Sequence, residues 1–135
     1  MRTQRALLTI AVVVEAPTAL ILILIPGFAL RLLLGADPDG VGLMVGRVAG
    51  VMLLSLVIAC WGARQDSGGA ARSSTLGAIT LYNAGTGGFF VLFAITGQAV
   101  GLVIWVAGLV HLALAIAFLA AQRQPADSSA MTSRR

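Results

Sequence analysis

Long apolar stretches of this chain contain one carboxylate, Glu15, and one imidazole, His111, together with Ser55, Tyr82, Asn83 and an arginine, Arg47. A carboxylate, an amide and an imidazole that meet inside an apolar medium can do two things. They can satisfy one another's hydrogen bonds and so fix the register of the segments that carry them, or they can form a proton-titratable ligand site, since an ionisable group at such a position is a functional candidate by default. Glu15, Asn83 and His111 are the expected cluster, with Tyr82 and Ser55 as possible additions. Arg47 reads in two ways: as an arginine snorkelling to a surface or pairing with Asp37 or Asp39, or as a cation turned inward towards Glu15 or an anionic substrate. Cys60 reads as a small packing residue, because neither a base nor a second cysteine accompanies it. A single histidine supplies neither a haem pair nor a three-ligand zinc site. The chain also lacks a glycine-rich phosphate loop, a Cys-x-x-Cys and a nucleophile elbow. No catalytic residue, metal or cofactor is therefore expected, and the reading leans away from an enzyme.

The elements that carry these groups follow from composition. Of 135 residues, 59% are hydrophobic and only 10% charged, with a mean hydropathy of +0.97. A soluble domain has about 25% charged residues, and disordered chains are polar, so lipid is the expected solvent. Four segments reach the roughly 20 apolar residues that a spanning helix needs: about 6–25, 41–63, 74–96 and 99–121. The first stops at Pro26-Gly27. The second enters through Asp37-Pro38-Asp39, which supplies an Asp cap, a proline in the first turn and negative charge at the positive end of the helix dipole. Gly97-Gln98 turns the third into the fourth. No segment alternates with period two, so a β-barrel is not indicated. The expected fold is all-α, a four-helix up-down integral membrane bundle forming one domain over residues 1–121, followed by a polar, disordered tail over 122–135.

The start, Met1-Arg2-Thr3-Gln4-Arg5, resembles that of a signal peptide. Its apolar run is too long for one and contains Glu15 and Pro17, so it is read as an uncleaved first span. With the N-terminus inside, Arg2, Arg5, Arg64, Arg72, Arg123, Arg134 and Arg135 lie on the inner side and only Arg31 and Arg47 on the outer. That asymmetry places both termini in the cytoplasm. Trp61 falls at the inner boundary, where an amphipathic ring prefers to sit. The linker from Gly27 to Gly40 reads either as a short helix on the outer surface or as an extension of the first helix. Gln65 to Ser73 reads as a flexible inner loop. Measured along the spans at 1.5 Å per residue, Glu15, Ser55, Tyr82, Asn83 and His111 all lie roughly 12–15 Å from the inner end.

Apolar helices gain nothing from hiding from water in lipid, so they pack through small residues. Gly42, Gly46 and Gly50 repeat along one face of the second span, and Gly88 follows Thr80 and Ala84 in the third. Gly101, Ala107, Gly108 and Ala115 serve the fourth.

Arg47-Val48-Ala49-Gly50, Ala59-Cys60-Trp61-Gly62-Ala63-Arg64, Tyr82-Asn83 and His111 together resemble a group of small four-span bacterial inner-membrane proteins, and the size and span count are more distantly similar to DoxX-like proteins. That resemblance covers spans two to four and implies a multi-pass protein of the bacterial inner membrane, without a mechanism. Glu15 in the first of four short spans is also similar to the carboxylate of the small multidrug-resistance transporters, which exchange protons for lipophilic cations. The third and fourth spans depart from that pattern. The expected function is thus an accessory or assembly protein with a Glu/Asn/His clasp, in a homo-oligomer or larger membrane complex. The alternative is a proton-coupled transporter or lipophilic-ligand binder using Glu15. The basic pI of 11.1 does not point to nucleic acid, because the arginines lie at segment ends and form no stripe. The bilayer itself is the expected partner.

Overall fold

The structure, a computed structural model, describes residues 2–66, 69–97 and 101–123. Their regular structure is entirely helical: α1 (Arg2–Leu24), α2 (Pro26–Leu34), α3 (Gly40–Gln65), α4 (Ala70–Ile95) and α5 (Leu102–Arg123). Helices α1, α3, α4 and α5 contain 23, 26, 26 and 22 residues, and each is long and apolar enough to cross a membrane.

The helices run past the apolar segments that announce them. α1 begins at Arg2 and α4 at Ala70, about a turn earlier than hydropathy marks, because a polar residue at the end of a span continues a helix as readily as an apolar one. Arg72 and Ser73, expected in a flexible loop, are therefore helical. Gln122, expected to open the disordered tail, lies in α5, where its amide donates to Thr80 Oγ1 at 2.8 Å. Gln98 and residues 124–135 lie outside the described residues. Pro26 ends α1 as anticipated: Ile25, which precedes it, is forced out of the helical region (φ −134, ψ 58), and the proline then starts α2. The first part of the Gly27–Gly40 linker thus belongs to a separate nine-residue helix, closed by Gly35 in the left-handed region at φ 75. Asp39, not Asp37, caps α3 by accepting from the Gly42 amide at 2.7 Å, while Asp37 pairs with Arg31.

Leu8 near the start of α1 packs with Cys60 and Ala63 near the end of α3, Leu76 and Ile79 near the start of α4, and Phe118 near the end of α5. The chain direction therefore alternates from one long helix to the next. Successive long helices are neighbours and α5 closes on α1, while α2 lies against α1, α3 and α5 at the opposite end. The closest pairs are α1 with α3 and α4 with α5. This apolar cluster fills the middle of the bundle towards the end away from α2.

Glycine sets the close pairs. A Cβ on Gly50 would stand 2.9 Å from Ala19 O and 3.0 Å from Ile23 N, and one on Gly46 would stand 3.0 Å from Leu30 Cδ1. Gly42 meets only Pro38 and Asp39 at its own helix start. Gly88 is exposed with nothing near it, and its neighbour Gly87 makes the contact with α5. Because two of the three atoms nearest that Cβ, Ala19 O and Ile23 N, belong to the backbone, Gly50→Ala should destabilise the protein by about 1–3 kcal/mol. Gly62→Ala, where the new methyl meets nothing, should be neutral or stabilising by up to about 1 kcal/mol. Unfolding of both variants by denaturing detergent checks the contrast.

Candidate functional site

Glu15 belongs to the stripe of α1 formed by Leu8, Ala11 and Ala19, which is buried at helical spacing. The small side chains on either side of it let α1 approach its neighbours, so the carboxylate points into the bundle and is only 3% exposed. On α4 the buried stripe is Arg72, Leu76, Ile79, Asn83 and Gly87, and Asn83 is completely enclosed. His111 sits between Gly108 and Ala115 on the inward side of α5.

These residues meet across the centre. Tyr82 Oη donates to Glu15 Oε2 at 3.3 Å, which ties α1 to α4. Asn83 Nδ2 donates to Ile79 O at 2.8 Å, so its Oδ1 faces His111 Nδ1 at 2.9 Å. That oxygen can only accept, which puts the ring proton on Nδ1 and leaves Nε2 as the acceptor of a neutral imidazole. Edge contacts with Tyr82 at 5.6 Å and Phe90 at 5.8 Å hold the ring between them. Glu15 Oε1 lies 3.8 Å from His111 Nδ1, too far for a hydrogen bond, and has no hydrogen-bond partner among the described residues. The carboxylate is therefore under-satisfied. In a buried position such a group is completed by a proton, a cation or a donor.

Two sequence candidates stand elsewhere. Arg47 is exposed on α3, and Asp37 and Asp39, its anticipated partners, are engaged by Arg31 and by the α3 amide. Ser55 is exposed and donates to Val51 O of its own helix at 3.0 Å. Cys60 lies in the apolar cluster.

A cavity of about 390 Å³ adjoins the cluster. Thr18 and Leu22 of α1, Phe28, Leu32 and Leu33 of α2, Phe90 of α4, and Val103 and Ala107 of α5 line it. Glu15 and His111 stand at its end farthest from α2. Val14, Ile21, Val106 and Val110 also border it and are exposed, so it opens sideways between α1 and α5. Thr18 Oγ1 donates to Val14 O at 3.0 Å, which leaves the walls apolar and the chemistry concentrated at the carboxylate and the imidazole. Phe90, one wall of this space, is not singled out by the sequence, whereas the roof, α2, is the short helix that is one of the two readings of the apolar Gly27–Gly40 stretch. No known protein family, curated protein or solved structure matches the chain.

Proposed function

We propose that this protein is a multi-pass protein of a bacterial inner membrane that holds a lipophilic molecule with a cationic or N–H-donating head, and that Glu15 is the partner of that head. The reading rests on one coincidence: Glu15 lines an apolar cavity, and an oxygen of its buried carboxylate has no hydrogen-bond partner among the described residues. Ligand pockets have this character, predominantly apolar with a few placed polar groups. The four long apolar helices support the membrane, and the arginine asymmetry supports cytoplasmic termini. With that orientation α2 lies at the outer surface and the cavity faces the outer leaflet.

A cation reaching Glu15 replaces whatever proton the carboxylate carries, so binding and proton release are coupled in this mechanism. His111, held by Asn83, lines the same chamber and has a second nitrogen that can accept a proton. Decylammonium should bind the purified protein in neutral detergent more tightly than decanol by at least about tenfold, the weight of one charge-assisted contact, and decanoate should bind weakest. A weakly buffered solution should acidify by up to one proton per chain. Equal binding of the three compounds sinks the proposal.

A second reading, an accessory or assembly partner in a homo-oligomer or larger membrane complex, is favoured by the enclosed Asn83, whose amide is bonded at both ends. In that case Glu15, Asn83 and His111 act as a register clasp and the cavity has no specific occupant.

A further inference from the structure

We infer that the end of the bundle opposite α2 carries an anion site for a phosphate group, built on Arg72. Arg72 is 2% exposed although it lies in the first turn of α4. Its Nε donates to Ala63 O at 3.1 Å and its Nη2 to Arg64 O at 3.1 Å, so the guanidinium caps the last carbonyls of α3. Those two bonds account for the structural role. The third nitrogen, Nη1, is buried and has no partner among the described residues. A guanidinium has five donors in a fixed fork suited to oxyanions, and a buried cation with a free edge calls for one.

A cavity of about 230 Å³ lies beside it, lined by Arg72, Gln4, Gly69, Ser73, Leu76 and Gln122. Its walls are mainly polar, unlike those of the cavity at Glu15. Gln4 and Gln122 turn their amide nitrogens onto Ala121 O and Phe118 O of α5, which masks the negative end of that helix. The start of α4 presents its positive end. Asp66 accepts from the amides of Gly69 and Arg72, so its carboxylate is held against the start of α4, and the donor side chains that line the cavity include Arg72 and Ser73. Arg2, Arg5, Arg64 and Arg123 belong to the same end of the bundle, and their field favours a multiply charged oxyanion over a neutral solute. A water takes about 30 Å³ of liquid, so a five-atom phosphate fits with several waters. The group can arrive on a lipid headgroup or as free phosphate; the recognising chemistry is the same.

The test uses the delipidated full chain in a neutral detergent. It is titrated with inorganic phosphate against chloride at equal ionic strength, and separately with dihexanoyl phosphatidylglycerol against dihexanoylglycerol. One phosphate-bearing probe should saturate at one per chain, and the control lacking phosphate should not. Saturation by inorganic phosphate identifies a free anion; saturation by the phospholipid alone identifies a headgroup. Ser73→Leu fills the cavity from an exposed position and leaves the Arg72 bonds to α3 in place, so it should weaken binding at least about tenfold, whereas Ser73→Thr should not. Arg72→Lys should weaken it similarly, and Ser73→Leu decides the matter if the lysine variant does not fold. Absence of saturation by both probes, or unchanged binding in Ser73→Leu, overturns the site.

Discussion

Glu15→Gln should lower the affinity for decylammonium by about 100- to 4000-fold while changing the stability of the empty protein by no more than about 1 kcal/mol. The asymmetry comes from charge. Leaving one member of a buried ion pair without its partner costs about 3–5 kcal/mol, and each 1.4 kcal/mol is tenfold in a binding constant. The amide still offers an oxygen to Tyr82 Oη, so the one hydrogen bond of the carboxylate survives in the empty state, and a neutral side chain removes the demand for a buried charge to be met. Decanol, which needs only an acceptor, should lose far less. Calorimetric titration of the two ligands into wild type and variant measures the difference. If the clasp reading holds instead, decylammonium shows no preference over decanol in either protein, and the variant differs from wild type only in unfolding.

The proton coupling supplies an internal check. Acidification on ligand binding should disappear in Glu15→Gln even at ligand concentrations that force occupancy, because the group exchanging the proton is gone. Release that persists in the variant would move the coupled group to His111.

Depth along a helix is readable from sequence; direction around it is readable only where small residues mark one face. Glu15, Asn83 and His111 could be set at one level because each residue advances about 1.5 Å, and flanking alanines and glycines marked which side of α1 and α5 turns inward. Ser55 lies at the same level yet faces away, and Arg47, nearer the start of the same helix, faces away too. Arg47 follows Gly46, which lies against α2, by one residue and so by about 100°. Ser55 stands two residues from both Leu53 and Val57 of the buried stripe, on the reverse side of α3. Arg72 was misjudged for another reason. Its neighbourhood of glycine, serine and alanine has the composition of a loop, and only the arrival of α3's free carbonyls makes a helix start with a buried arginine worthwhile. The cavity depends on how the α1/α3 pair sits against the α4/α5 pair and on α2 folding back over the gap. These are properties of the assembled bundle with no local signature in the chain.

Gly87→Leu should destabilise the protein by about 3 kcal/mol, and Gly88→Leu by less than about 0.5 kcal/mol, although the two glycines are adjacent. A Cβ on Gly87 would stand 2.9 Å from Gly108 O and 2.9 Å from Leu112 Cγ. The carbonyl belongs to the backbone of α5 and cannot turn aside, so the larger side chain must part the helices. The contact is reciprocal, since a Cβ on Gly108 would stand 3.1 Å from Val91 Cγ2 and 3.3 Å from Phe90 Cβ. Gly88 meets nothing within 4 Å, and leucine there adds only helix propensity and apolar surface in contact with lipid. The glycine contact bears on function as well as on stability. Asn83 and His111 join α4 to α5 one turn from Gly87 and Gly108, and Phe90, which faces Gly108, also walls the cavity. Parting the pair at Gly87 should therefore weaken decylammonium binding in protein that remains folded, with Glu15 untouched. Denaturing-detergent unfolding followed by tryptophan fluorescence gives the stabilities, and ligand titration of the folded fraction gives the coupling. Equal destabilisation by the two leucines would mean that α4 is turned by about 100°, which would carry Asn83 away from His111 and remove the imidazole's anchor.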